Sequence, residues 1–185
     1  MNPWNHLPKA LITPDDFLAV IEIPKGSKQK YEVDNETGLL RLDRILYTST
    51  HYPQNYGFIP LTISDDGDPL DVLVLCSESL VSLCMVRCYP IGVIKMTDDD
   101  YIDEKIIAVP FEDPQMSFYQ DLTDLPEHVY NEIMHFFEVY KDLENVKTYV
   151  LQIDGREVAN EIVTSCLRAY EKSQTTKREN ISEET

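Results

Sequence analysis

Within the 185-residue sequence, Asp66-Gly67-Asp68-Pro69-Leu70-Asp71 sets three carboxylates within six residues, directly ahead of the apolar run Val72-Leu73-Val74-Leu75. Like charges this close repel one another unless a cation sits among them. Oxygen-only donors select a hard cation, magnesium or calcium, over zinc. Solvated acidic turns have the same composition, and on this cluster alone both readings stand. An EF-hand does not fit. Counting from Asp66, the sixth position is Asp71 rather than Gly, and the twelfth is Ser77 rather than Glu.

A second acidic cluster, Asp98-Asp99-Asp100 with Asp103, precedes the strand-like segment that begins at Lys105. Alone it reads as a solvated loop. Glu22 interrupts the apolar run Val20-Ile21 to Ile23, so its carboxylate is either edge-exposed or reaches a site, because Glu is rarely buried unpaired. Lys30, Arg44 and Lys141 add cations beside predicted elements, and an arginine fork suits bidentate phosphate recognition. Tyr52 and Tyr56 place two phenols around Pro53-Gln54-Asn55, where each could donate to a phosphate oxygen.

The formal net charge is −17. Such a surface repels nucleic-acid backbones and anionic membranes, so neither is expected as a partner. A polyanionic substrate is held by so acidic a chain only where metal ions or a few placed cations reverse the local sign. The N-terminus carries no basic segment followed by a long apolar run, and the apolar stretches are too short to cross a bilayer. Cys76, Cys84, Cys88 and Cys166 form no C-x-x-C pair, which argues against structural zinc and for reduced, buried thiols in a cytoplasmic protein.

The elements that must position these residues follow from period and punctuation. Residues 1–14, with Pro3, Pro8 and Pro14, read as an irregular arm. Strands are predicted over 17–24, 30–33, 39–46, 71–75, 83–93 and 105–109, separated by turn signals such as Lys25-Gly26-Ser27 and Asp65-Asp66-Gly67-Asp68-Pro69. Many short strands at this spacing favour a small closed barrel. After Phe111 the period becomes helical. Asp124-Leu125-Pro126-Glu127 predicts a helix entry capped by Asp124, with Val129, Ile133, Phe136, Tyr140 and Leu143 on one face. A second helix fits 158–170, and the polar residues 173–185 predict a disordered tail. The expectation is one domain over 1–185, mainly β with α: a barrel flanked by two C-terminal helices.

Taken together, Ile21-Glu22-Ile23-Pro24, Lys30-Tyr31-Glu32, Asp43-Arg44, Tyr52-Pro53 with Asn55-Tyr56-Gly57, Asp66 to Val72, Gly92 to Asp98, Ala108-Val109-Pro110 and His135 to Glu144 resemble the family I soluble inorganic pyrophosphatases of bacterial type. They stand in that family's order over roughly residues 15–170. The resemblance implies a five-stranded OB-like barrel and hydrolysis of pyrophosphate to two orthophosphates with several Mg2+ per site. It further implies that Asp66, Asp71 and Asp103 hold the tightest magnesium, with Asp98 and Glu22 on further ions, and that Asp68 is the general base. Lys30, Arg44, Tyr56, Tyr140, Lys141 and Lys105 would hold phosphate oxygens, with Glu32 and Tyr52 in support. The family's usual bacterial form implies a homohexamer.

Two segments depart from the family pattern, 76–88 and 145–153, where the usual tryptophan-bearing strand is replaced. Neither carries a residue matched to the site. A non-catalytic metal-binding module would account for the carboxylates but leaves the cations and phenols without a role. An OB-fold nucleic-acid binder needs a basic groove, which this composition denies. A nucleotide or polyphosphate hydrolase using the same metals is the remaining enzymatic alternative.

Overall fold

The computed structural model describes residues 3–34, 36–98 and 101–183; for residues 3, 5, 98, 101 and 177–183 it describes the backbone alone. Among the described residues, nine strands and two α-helices follow one another as β1 (Ile12–Thr13), β2 (Asp16–Ile23), β3 (Gln29–Val33), β4 (Leu40–Ile45), β5 (Asn55–Phe58), β6 (Asp71–Val74), β7 (Met85–Asp98), β8 (Tyr101–Pro110), α1 (Glu127–Val139), β9 (Thr148–Gly155) and α2 (Arg156–Glu183). The main sheet runs β1-β2-β5-β6-β8-β7-β9, and β2 also pairs with β7. That extra pairing joins β2, β5, β6, β8 and β7 into a ring, the closed five-stranded OB-like arrangement expected. One pair in the ring, β6 with β8, is parallel. The hairpin β3-β4 is a separate two-stranded sheet.

β6 explains why its sequence is apolar without alternation. Val72 and Val74 point into one cluster, closed by Ala159, Ile162, Val163 and Cys166 of α2. Leu73 and Leu75 point into another, closed by Ile133, Phe136 and Phe137 of α1. With both faces covered, the polar half of the usual alternation has no place. α1 packs on β9, and α2 on β7 and β9. All four cysteines are free, three of them buried.

The structure differs from expectation in four places. β5 was hidden by Asn55 and Gly57, which read as turn residues. Gly57 is required in that strand because a Cβ there would lie 1.9 Å from the Val20 carbonyl oxygen. β9 fills the divergent segment 145–153 and remains a strand, with Tyr149 and Leu151 exposed on one side of an outer edge. Asp124 does not cap α1. Asp121 caps a short 3-10 turn, Leu122–Asp124, and Asp124 returns its carboxylate to the Asp121 N–H. α1 then begins after Pro126 and ends before Leu143, which is exposed. Finally, the backbone of 173–183 continues α2 instead of forming an irregular tail. The Glu, Lys, Gln and Arg of that stretch are good helix formers, and extending an existing helix gains one hydrogen bond for each residue fixed.

Candidate active site

Glu22 is the extra residue of a β-bulge, where the β2–β5 register shifts between Ile21 and Ile23. Bulges re-aim side chains. Here Glu22 is buried, and its Oε1 accepts the Val33 N–H of β3 at 2.6 Å. Burial pushes its carboxyl up to about 8, helped by the anions Asp71 and Glu32 and opposed by the Val33 N–H and Lys30. Glu22 is thus not edge-exposed but lines a cavity.

That cavity, ≈580 Å³, lies between the barrel and the hairpin. Its floor comes from adjacent barrel strands. Asp71 begins β6 and stands beside Lys105 in the parallel β6–β8 register and opposite Phe58 in β5. Asp103 and Lys105, two apart on β8, share a face, as do Tyr56 and Phe58 on β5. Lys105, only 3% exposed, donates to Asp71 Oδ2 at 2.6 Å, to Asp103 Oδ1 at 3.0 Å and to the Tyr56 hydroxyl at 3.1 Å. The Tyr56 hydroxyl also donates to Asp71. Burial works to lower the pKa of Lys105, but Asp71, Tyr56 and Asp103 outweigh it and keep the ammonium charged, well above the ordinary lysine value. The rings of Tyr56 and Phe137 lie 5.3 Å from its nitrogen.

Asp66 and Asp68 stand at the lip, on the turn between β5 and β6. Gly67 takes φ +91°, a left-handed conformation that favours glycine. The Asp68 N–H donates to Asp66 Oδ1 at 2.9 Å, which fixes the turn internally. Burial raises the Asp68 carboxyl, and Asp66, Asp71 and Glu32 raise it further against Lys30. A carboxylate made more basic in this way suits proton acceptance.

The hairpin forms the wall. Lys30 bonds Glu32 and reaches Asp43 at 3.2 Å. Arg44 pairs with Asp43 and, through Nε at 3.0 Å, with Glu144 beyond α1. Two hydrogen bonds between backbone groups, Leu46 N–H to the Lys28 carbonyl and Tyr52 N–H to the Ser27 carbonyl, tie the hairpin's base down. Tyr140 and Lys141, at the end of α1, complete the lining.

The structure therefore brings Glu22, Lys30, Glu32, Tyr56, Asp66, Asp68, Asp71, Asp103, Lys105, Tyr140 and Lys141 to one cavity. Arg44 stands behind that lining, held by its two carboxylates. Tyr52 is buried beneath it, its ring 5.3 Å from Tyr56 and 4.9 Å from Phe136. Asp98 ends β7, with its side chain outside the described residues, as are Asp99 and Asp100 entirely. Sequence reasoning missed Arg41, Asp34, Glu36 and Phe58, which also line the cavity. Arg41 was hidden by a bulge. The β3–β4 register shifts so that Lys30 faces Arg44 and Glu32 faces Arg41. Two arginines three apart, which strict alternation would separate, thus stand opposite Lys30 and Glu32 on one face of the hairpin, and of the two Arg41 reaches the cavity lining.

The lining carries eight carboxylates, those of Glu22, Glu32, Asp34, Glu36, Asp66, Asp68, Asp71 and Asp103, against four cations, Lys30, Arg41, Lys105 and Lys141. Among the described residues no histidine or cysteine lines it, so the donors are those of a hard cation. Among the described residues no three of these side chains are gathered to hold an ion. Asp71 and Asp103 are instead drawn together by the Lys105 ammonium.

The family model for inorganic pyrophosphatase matches residues 19–171. The chain is 46% identical over 171 residues to soluble inorganic pyrophosphatase 2 of Chlamydomonas reinhardtii, covering 92% of this chain and 89% of that protein. It is 44% identical to soluble inorganic pyrophosphatase 1 of Arabidopsis thaliana, covering 91% and 80%. The crystal structure of the inorganic pyrophosphatase from Thermus thermophilus superimposes with a TM-score of 0.87 at 40% identity, over 91% of this chain and 98% of that one. The Helicobacter pylori enzyme does so with a TM-score of 0.82 at 41% identity, over 85% and 95%. A match this long in sequence, repeated in the superposition of the whole fold, means that the chain belongs to the inorganic pyrophosphatase family.

Proposed function

We propose that this chain hydrolyses inorganic pyrophosphate to two orthophosphates with magnesium as its metal, and that Asp68 is the base. One observation carries the proposal: eight carboxylates and four cations converge on one cavity, with Asp71, Asp103, Tyr56 and Lys105 locked together at its floor. The oxygen-only donor set fits magnesium. Asp66, Asp71 and Asp103 would hold the tightest ion, and Asp98 and Glu22 would contact others. Bound magnesium supplies positive charge that offsets the phosphate oxygens and acidifies water.

Asp68 takes the proton from the attacking water at a carboxylate oxygen. The water oxygen bonds to one phosphorus as the bridging P–O bond breaks, and the second phosphate leaves with the bridging oxygen. Lys30, Arg44, Tyr56, Tyr140, Lys141 and Lys105 hold phosphate oxygens, while Glu32 and Tyr52 fix their neighbours. Lys30 and Arg44 then exchange carboxylate partners for substrate, since both sit in contact with Asp43. Such chemistry is positioning and electrostatics more than covalent work.

The protein acts as a single domain over 1–185 and as a cytoplasmic homohexamer. The four free thiols support a reducing compartment, and the exposed apolar side chains of Leu42, Tyr47, Tyr149 and Leu151 support self-association. A phosphate-release assay with pyrophosphate, tripolyphosphate and ATP side by side tests the substrate. Pyrophosphate should be preferred, activity should vanish in chelator, and magnesium should restore it. Full activity in chelator, or equal rates on ATP, would overturn the proposal.

A further inference from the structure

Trp4 is the chain's only tryptophan, and it lies in the 3-10 turn Pro3–His6, outside the 19–171 span that the family model matches. Its ring stands edge-on to that of Phe58, with centroids 6.4 Å apart and planes at 78°. T-shaped aromatic pairs of this kind are specific contacts, stronger than their buried area implies. Phe58 is 7% exposed and lines the catalytic cavity. Its Cα partner across β5–β6 is Asp71, and two residues earlier on the same strand is Tyr56, whose hydroxyl donates to Asp71. The side chains of such directly opposite residues share a face and are close enough to restrain each other. One step of packing therefore separates the N-terminal arm from the floor of the site.

Other contacts hold the arm down. Leu7 and Ile12 join the barrel-α2 core, Ile12 pairs with Phe17, and Lys9 bridges to Glu171 at 2.8 Å. The Trp4–Phe58 contact is additional to these.

We propose that Trp4 is a positioning residue of the pyrophosphate site, backing Phe58 and through it fixing Asp71 and the Asp66–Asp71 turn. The idea rests on the reading of this cavity as the pyrophosphate site. It also makes Trp4 a built-in optical reporter, because all tryptophan emission comes from the ring that touches the cavity wall.

Two measurements test it. In the first, the full-length protein in magnesium is titrated with methylenediphosphonate, a non-hydrolysable stand-in for pyrophosphate, while tryptophan emission is followed. The emission should change and saturate, and Phe58→Leu should abolish the change while calorimetry still detects binding. In the second, Trp4→Ala should raise KM for pyrophosphate about threefold to tenfold with kcat within twofold, the usual size of a lost aromatic pair. Trp4→Phe, which keeps an edge for Phe58, should restore KM to within twofold. An emission that stays flat while calorimetry shows binding would overturn the inference. So would an unchanged KM in Trp4→Ala, or a Trp4→Phe enzyme as impaired as Trp4→Ala. If wild-type protein releases no phosphate from pyrophosphate, the proposed function falls instead, and the diphosphonate titration still decides on Trp4.

Discussion

The floor and the wall of the cavity handle charge by opposite means. On the floor, Lys105 is 3% exposed and is matched by two carboxylates and a phenol, all on barrel strands locked by ladder pairing. On the wall, Lys30 and Arg44 have side chains about a fifth exposed, Arg41 is 64% exposed, and all three stand on a two-stranded hairpin. A two-stranded ribbon has little stability of its own and depends on what it is tied to. Buried charges must be paired and therefore cannot move cheaply. Charges that keep contact with water exchange partners at smaller cost. The difference teaches a division of labour: the floor fixes the reacting geometry, and the wall meets and releases an anion. Substitutions among the paired charges of the floor should lower turnover or stability, whereas those of the wall cations should raise KM.

The sharpest test falls where the turn between β5 and β6 meets the lip. Asp68→Asn keeps size and removes proton acceptance, while Asp66 and Asp71 remain in place. Turnover should drop by roughly 10²–10⁴-fold, the usual worth of a positioned general base. Steady-state phosphate release at saturating magnesium measures it. A variant with near-normal kcat would make Asp68 a turn residue and leave the site without its base.

Lys105→Met tests the floor by stability rather than rate. Removing the ammonium leaves Asp71 and Asp103 facing each other without their cation. Breaking a buried pair in this way costs about 3–5 kcal/mol. Urea unfolding in chelator, where no metal can substitute for the lysine, should reveal a loss of that size. Lys30→Met on the wall should cost well under half as much, because its partners remain in contact with water. Equal losses at the two positions would erase the distinction between floor and wall.

The floor was more legible in the sequence than the wall, for a physical reason. Asp66 to Asp71 is local, its turn is announced by Gly67 and Pro69, and the following run reads as a buried strand. Lys105 opens a predicted strand, whereas Asp103 by itself read as part of a loop, and only the family resemblance drew it to the site, because β8 begins earlier, at Tyr101. The hairpin cations depend on a bulge at β4, and a bulge breaks the period that sequence reasoning relies on, so Arg41 was missed. β5 was missed for a related reason: Gly57 is there because Val20 approaches closely, a tertiary demand that locally reads as a turn. Phe58 disappeared with the strand that carries it. The cap of α1 failed differently: Asp124 closes a capping box with Asp121 around the 3-10 turn Leu122–Asp124, and α1 starts after Pro126 with no side-chain cap.

Arg41 offers the smallest effect and the most direct probe of the wall. Its guanidinium lines the cavity, and its ion pair with Glu32 is long, 3.5 Å, and open to solvent. A pair of that kind contributes little to stability. The cation's use is then in the field it projects, at the mouth of a site on a chain of net charge −17. Rim charges act on encounter more than on chemistry, and salt screens them within about 8 Å at physiological ionic strength. Arg41→Ala should therefore raise KM about threefold at low salt with kcat unchanged, and the difference from wild type should shrink as salt is added. Arg41→Lys should recover most of the loss, because a point charge suffices for steering where bidentate geometry is not required. A fall in kcat with KM constant would move Arg41 from the wall into the chemistry. A KM difference that persists undiminished in high salt would mean that the guanidinium binds substrate directly.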